Sequence, residues 1–286
     1  MPTALLALAF ATSLAPSVDM PTLFWGIDPE VLVVEADTKL KPKHDRAVLL
    51  IHGLLPRLLH PNRAEKPEAH DWQVKNGRLV KALSDDADVY GFSYAQTRCV
   101  DEVAYSRGLR EGLGAIKAAG YKEIVLIGHS AGGLVARRVV EVFPDAGVTK
   151  VIAVATPFAG SGWANLPGFT MPRTQIPFIQ SLSPEARELC AKTRESKLPA
   201  DLEVAVVLCK ANRRDDDTVV ALKSQWSDDL QKQGVPVVQT ACNHFEAMTC
   251  EPVAKEVARL VNGKIRRWDD DDVAKARRVL FGEKAK

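Results

Sequence analysis

The chain carries almost no net charge, which argues against a polyanionic partner. Its 286 residues include 38 Lys and Arg against 36 Asp and Glu, a formal net charge of +2. Nucleic-acid binding depends on clustered basic side chains that displace counterions from phosphates, and no long basic stripe is present. We therefore expect no nucleic-acid partner and favour small or lipid-like molecules as ligands.

Cysteine is also scarce. The five cysteines are too few and too scattered for a disulfide scaffold or a CxxC zinc site. Cys242 and Cys250 flank His244, so a bridge that braces this loop is one alternative. Free, partly buried thiols are the default expectation.

Long apolar runs are missing, and this argues against an integral membrane span. The stretch 4–15 is apolar but too short to cross a bilayer. It resembles the core of a signal peptide, although no Lys or Arg precedes it. The alternatives are an ordinary leader and a translation start at Met20. Residues 1–20 are interpreted as a leader or signal segment; a cytoplasmic location is slightly favoured, and secretion is expected if residues 1–17 are a signal peptide.

What the chain does have is an alternation of short β-rich runs with amphipathic helical stretches. This alternation is typical of an α/β protein with a mostly parallel sheet covered by helices on both faces. The predicted strands are 31–35, 47–52, 87–92, 123–128, 148–155, 202–208 and 235–240. The predicted helices are 73–84, 103–119, 131–143, 184–192, 219–233 and 252–261, and an acidic turn at 269–272 begins one more.

Two segments interrupt this alternation within a single predicted domain, 21–286. Residues 56–71 are rich in Pro, Arg and Asn and are predicted to form an exposed loop. Residues 157–199 mix aromatic residues with several prolines, a composition that suits a small cap over a pocket. An irregular connection whose apolar residues simply pack inward is the alternative reading.

The strongest local signal is Gly128-His129-Ser130-Ala131-Gly132, which follows a buried strand and precedes a helix. Glycines flanking Ser130 allow a turn sharp enough to project its hydroxyl above the sheet. We predict that Ser130 is a nucleophile; a tight turn with a buried, hydrogen-bonded serine is the alternative.

A serine nucleophile needs a histidine base held by a carboxylate. Of the six histidines, His244 follows the last predicted strand and precedes a helix, which makes it the predicted base. Three carboxylates compete for the third role after the preceding strand. Asp217 is preferred because apolar residues anchor the chain just beyond it, and Asp216 is the main rival. The alternative reading of Asp215 and Asp216 is a solvated charged face.

Two backbone amides are candidates for stabilising the oxyanion. One is the N–H of Ala131, at the start of its predicted helix. The other is the N–H of Leu54, which follows His52-Gly53 after the second predicted strand.

Together these motifs resemble the lipase and esterase branch of the α/β-hydrolase superfamily, over about residues 47–261. The segment 156–161 is similar to a TP-x-x-GS stretch in such proteins, and 217–224 is similar to their D-x-V-V-x-x-x-S acid segment, which supports Asp217 over Asp216. Ala155 stands where a glycine is often found, and Phe158 where a histidine is common. The fold expected from the resemblance is an α/β-hydrolase fold with a small cap.

The resemblance implies hydrolysis of carboxylic esters through an acyl-enzyme, with no metal and no organic cofactor. An apolar ester would contact the cap, for which the candidate substrate-binding residues are Phe158, Trp163, Phe169 and Phe178. Thioesterases, amidases and polyester hydrolases use the same three residues, so the sequence leaves them open. A non-catalytic binding protein or a lyase is the alternative of another class. The oligomeric state is left open.

Overall fold

The computed structural model describes residues 17–31, 33–55, 64–165, 172–193, 197–212 and 214–282. Its centre is a seven-stranded sheet in the order β1-β3-β2-β4-β5-β6-β7. The strands are β1 Thr22–Asp28, β2 Arg46–Ile51, β3 Asp88–Tyr94, β4 Glu123–His129, β5 Lys150–Val154, β6 Glu203–Lys210 and β7 Val237–Ala241. Only β1 is antiparallel to its neighbour, so the mostly parallel sheet expected from the sequence is confirmed.

Helices cover both faces of the sheet, as expected from strands that are apolar on both sides. The helices are α1 Arg78–Leu83, α2 Val100–Val103, α3 Arg107–Ala118, α4 Ala131–Val142, α5 Ile176–Gln180, α6 Pro184–Thr193, α7 Leu222–Gln225, α8 Asp228–Lys232, α9 Glu251–Asn262 and α10 Asp270–Phe281. α1 and α9 contribute Leu79 and Val257 to one core layer, and α3 and α4 contribute Leu113 and Val135 to the other. Among the described residues, no helix combines the length and the apolar character needed to cross a membrane.

The prediction of a strand at 31–35 is wrong. The first strand of the sheet is instead β1, and one edge of β1 pairs with β3. Val31 exchanges backbone hydrogen bonds with Gly26 on the other edge, and Val34 donates to Phe24 O at 2.7 Å. The segment therefore adds isolated bonds to the outside of β1 and no further strand.

Several helix boundaries also differ from the prediction. The predicted helix 219–233 divides into α7 and α8, because the backbone leaves helical geometry at Trp226, whose indole is buried and donates to Val235 O at 3.0 Å. The predicted helix 73–84 begins only at Arg78. The predicted helix 103–119 is interrupted before Arg107, which separates α2 from α3.

Candidate active site

Ser130 occupies the sharp turn between β4 and α4, at the carboxyl edge of the parallel strands. Its backbone has φ 53° and ψ −127°, a strained conformation for a residue with a side chain. Ser130 N donates to Val154 O at 2.9 Å, which ties the turn to β5. A side chain at Gly128 or Gly132 would strike backbone atoms, so only glycine fits this close crossing.

His244 lies beside this serine. Its Nε2 is 3.0 Å from Ser130 Oγ, and the residue is 6% exposed. The side chain of Asn243 accepts hydrogen bonds from Phe245 N and Glu246 N, both at 3.0 Å, which fixes the turn that carries His244. The imidazole is therefore presented to the serine by an ordered loop after β7.

Asp217 completes a line of three hydrogen-bonded side chains. Its Oδ2 lies 2.7 Å from His244 Nδ1, and its Oδ1 accepts from Val219 N at 3.0 Å and Val220 N at 2.7 Å. His244 N also donates to Asp217 O at 2.7 Å. The carboxyl group is completely buried, and these donors satisfy its two oxygens. Because Nδ1 bonds to Asp217, Nε2 is the imidazole nitrogen that faces Ser130 Oγ.

The two rival carboxylates are engaged elsewhere. Asp216 forms a two-pronged ion pair with Arg214, at 2.6 and 3.0 Å, and this guanidinium holds the pKa of Asp216 below its ordinary value. Asp215 has a side chain that is 93% exposed and pairs with Lys210. Of the three neighbours, Asp217 is the one that the structure brings to His244.

His129 is not bonded to the serine it precedes. Its Nε2 lies 3.1 Å from the backbone oxygen of His244, and its ring centre is 5.0 Å from the His244 ring. Burial holds the pKa of His129 well below its ordinary value, and the charge of His244 acts in the same direction. His129 is thus a neutral donor that supports the His244 loop, a contact that the sequence motif did not reveal.

The two predicted oxyanion donors belong to two different segments beside Ser130. Ala131 N is at the first turn of α4, where helix amides have no partner within the helix. Gly53, next to Leu54, is so close that a Cβ built on it would lie 3.0 Å from Ser130 Oγ. Within the described part of the chain, neither Leu54 N nor Ala131 N has a hydrogen-bond acceptor.

The four predicted substrate-binding aromatics are placed very differently. Trp163 is 52% exposed, whereas Phe178 is completely buried against Tyr94. Phe158 lines a cavity of about 450 Å³ together with Arg137 of α4. Phe169 lies outside the described residues. Their contact with substrate stays a prediction.

The departure noted at Ala155 has a structural counterpart. Ala155 has φ 51°, in the left-handed region that favours glycine, and its N–H donates to Val207 O at 3.0 Å. Alanine can adopt this conformation at a cost, and the pairing with β6 holds it there.

Neither a metal cluster nor a disulfide is found in the described ranges. Within them, no group of three or more His, Cys, Asp or Glu side chains is arranged to hold a metal ion. All five cysteines are free thiols, and Cys250 is the N-cap residue of α9.

Comparison with known proteins identifies the fold independently. The model of the alpha/beta hydrolase family matches residues 48–273. The chain is similar in structure to mature lipase BlEst2 of Bacillus licheniformis, with a TM-score of 0.59 and 15% identity over 82% of this chain and 97% of that one. It is also similar to phospholipase PlaB of Legionella pneumophila, with a TM-score of 0.55 and 16% identity over 83% of this chain and 63% of that one. Curated protein sequences give no match.

Proposed function

The chain belongs to the alpha/beta hydrolase family, and we propose that it is a serine hydrolase that cleaves carboxylic esters through an acyl-enzyme intermediate. The observation that carries the proposal is the continuous hydrogen-bonded line from Ser130 Oγ through His244 to Asp217. A buried carboxylate, a correctly oriented imidazole and a strained serine are the parts that this chemistry needs.

The proposed first step is attack of Ser130 on the ester carbonyl. A bond forms from Ser130 Oγ to the carbonyl carbon, its proton passes to His244 Nε2, and the carbonyl electron pair moves onto oxygen. Asp217 keeps the imidazole in the required tautomer and stabilises its positive charge. The amides of Leu54 and Ala131 are proposed to donate to the oxyanion.

Collapse of this intermediate expels the alcohol, which takes its proton from His244. Water then attacks the acyl carbon as it gives a proton to the same imidazole. The bond from the acyl carbon to Ser130 Oγ breaks, Oγ takes the proton back from His244, and the acid leaves. These steps use side chains and amides of the chain itself. The same steps would cleave a thioester or a polyester, so the panel of substrates must contain all three.

We test the proposal with a fluorophosphonate probe, which reacts with an activated serine. We expect the wild-type protein to be labelled, the Ser130→Ala protein to stay unlabelled, and both to melt at similar temperatures. Lack of labelling of the wild type, or undiminished labelling of Ser130→Ala, would overturn the assignment. A panel of ester, thioester and polyester substrates then shows which bond is cleaved fastest.

The apolar side of the substrate is proposed to lie against the cap segment, 157–199. The exposed indole of Trp163 supports this proposal, since a large apolar surface in water is favourable to cover. We expect Trp163→Ala to raise KM for long-chain p-nitrophenyl esters more than for the acetate. Equal KM changes across the series would argue against contact with the acyl chain.

A further inference from the structure

Two glutamines lie against the loop that carries Leu54, and neither belongs to a recognised motif. We propose that Gln96 and Gln175 are positioning residues, which clamp this loop so that Leu54 N–H points at the developing oxyanion. The proposal rests on the function proposed above and adds two residues to its machinery.

The clamp begins at the peptide group that contains the Leu54 amide. Gly53 O accepts from Gln96 Nε2 at 2.9 Å and lies 2.7 Å from His52 Nδ1. In a trans peptide the carbonyl and the next N–H point in opposite directions. Fixing Gly53 O therefore also fixes the direction of the Leu54 N–H, and a Cβ built on Gly53 would meet Ser130.

The next two peptide groups are held by the same pair of side chains. Leu55 N donates to Gln96 Oε1 at 3.0 Å, and Leu55 O accepts from Gln175 Nε2 at 2.8 Å. Gln175 Nε2 also donates to Gln96 Oε1 at 2.7 Å, which joins the two amides. Each glutamine has one possible orientation here, because Leu55 supplies one obligatory donor and one obligatory acceptor.

His52 and Tyr94 hold the beginning of the loop in place. Tyr94 hydroxyl donates to His52 O at 2.8 Å, and its ring stacks on the His52 ring with centres 4.6 Å apart. Ser93 Oγ lies 3.1 Å from His52 Nε2, which leaves Nδ1–H to bond Gly53 O. The loop is thus fixed at His52, Gly53 and Leu55, and Leu54 N has no hydrogen-bond acceptor among the described residues.

The two glutamines of the clamp are shielded from solvent. Gln96 is 3% exposed and Gln175 is 0% exposed. Gln175 Oε1 is buried with no partner among the described residues, which costs stability relative to an apolar side chain. Holding Leu55 O and Gln96 is the role that accounts for this cost. Gln175 belongs to the segment 157–199 that is predicted to form a cap, so this segment is bonded directly to the loop after β2.

The test compares a tetrahedral analogue with a planar one. Addition of Ser130 Oγ to the carbonyl carbon of a trifluoromethyl ketone gives a tetrahedral adduct with a negative oxygen at the oxyanion position. The matching methyl ketone binds largely as the planar carbonyl. We expect Gln96→Leu and Gln175→Leu to weaken the trifluoromethyl ketone by about 10- to 100-fold, less than the loss of a whole donor. The methyl ketone should bind within about 3-fold of wild type, and kcat should fall while KM holds.

Gln73 supplies the matched control. It is 1% exposed, donates from Nε2 to Leu50 O at 2.9 Å and to Phe92 O at 3.2 Å, and accepts from His70 N at 3.0 Å. Among the described residues its hydrogen bonds do not reach Gly53, Leu54 or Leu55. Gln73→Leu should lower the melting temperature and leave the ratio of the two ketone affinities unchanged. This variant separates lost stability from lost orientation.

A double variant tests whether the two glutamines act as one unit. Because they share one network, Gln96→Leu with Gln175→Leu should cost less than the product of the single effects. Should one single variant fail to fold, the ketone ratio of the other decides. A wild type that the trifluoromethyl ketone does not inhibit would refute the hydrolase assignment and the clamp together. A normal wild type with an unchanged ratio in the folded variants would overturn the clamp alone.

Discussion

The contact between Gly53 and Ser130 allows a sharp test of the site. A methyl group added at Gly53 would lie 2.5 Å from Ser130 Cβ, and an ordinary contact begins at 3.4 Å. The loop and the serine must therefore separate by about 0.9 Å. A misplacement of about 1 Å in a catalytic site can cost about 100-fold in rate, which corresponds to about 2.7 kcal/mol of barrier.

We therefore expect Gly53→Ala to lower kcat/KM for p-nitrophenyl butyrate by about 100-fold and to slow fluorophosphonate labelling in parallel. Gly114→Ala is the matched control, because a Cβ at that position in α3 meets nothing within 4 Å. It should keep full activity and stabilise the helix by about 0.5–1 kcal/mol. A folded Gly53→Ala protein with nearly wild-type kcat/KM would refute the proposed packing of the oxyanion loop on Ser130.

Three further predictions address the carboxylate, the buried histidine and a buried lysine. Asp217→Asn should reduce kcat by about 10⁴-fold, because this aspartate is proposed to fix the tautomer of His244. Asp216→Asn should keep kcat within a few-fold of wild type. Equal losses of kcat in the two variants would contradict the assignment of Asp217 as the residue that orients His244. Because burial lowers the pKa of His129 from 6.5, the unfolded chain binds more protons below that pH, so stability should fall as the pH drops below about 6.5, and urea unfolding should show a weaker fall in His129→Phe. Lys150 Nζ donates to the carbonyls of Leu260, Val261 and Gly263 at 3.1, 2.9 and 2.7 Å, at the C-terminal end of α9, so Lys150→Met should cost about 2–4 kcal/mol in thermal unfolding. The exposed Lys264→Met should cost much less, and similar costs would contradict the role of Lys150 in capping α9.

Much of the fold was predictable from local pattern, because buried parallel strands are continuous apolar runs. β4 and β6 agree with their predicted ranges to within two residues at each end. β1 was not predictable in this way, since its pairing with β3 joins distant segments and depends on where the edge of the sheet lies. The break at Trp226 was hidden for a similar reason: the buried indole bonds to a residue beyond the helix.

The candidate site also combines features that local sequence predicts with features that depend on tertiary contacts. The elbow around Ser130, the position of His244 after the last strand and the preference for Asp217 could be read from residue types and their order, because a strand-turn-helix and a loop before a helix are local features. The choice among three adjacent aspartates could be made only provisionally from sequence, because neighbouring side chains point in different directions. The folded backbone decides which carboxylate faces His244.

Sequence by itself determined the family resemblance and the chemical groups available to this protein, because both depend on the types of residues and their order. Tertiary structure alone decided which groups meet. The bonds of Gln96 and Gln175 to Leu55, and of His129 to the His244 carbonyl, join segments about 40 to 120 residues apart. Glutamine carries no motif, and its role arises only when folding excludes water and leaves particular backbone groups as its partners.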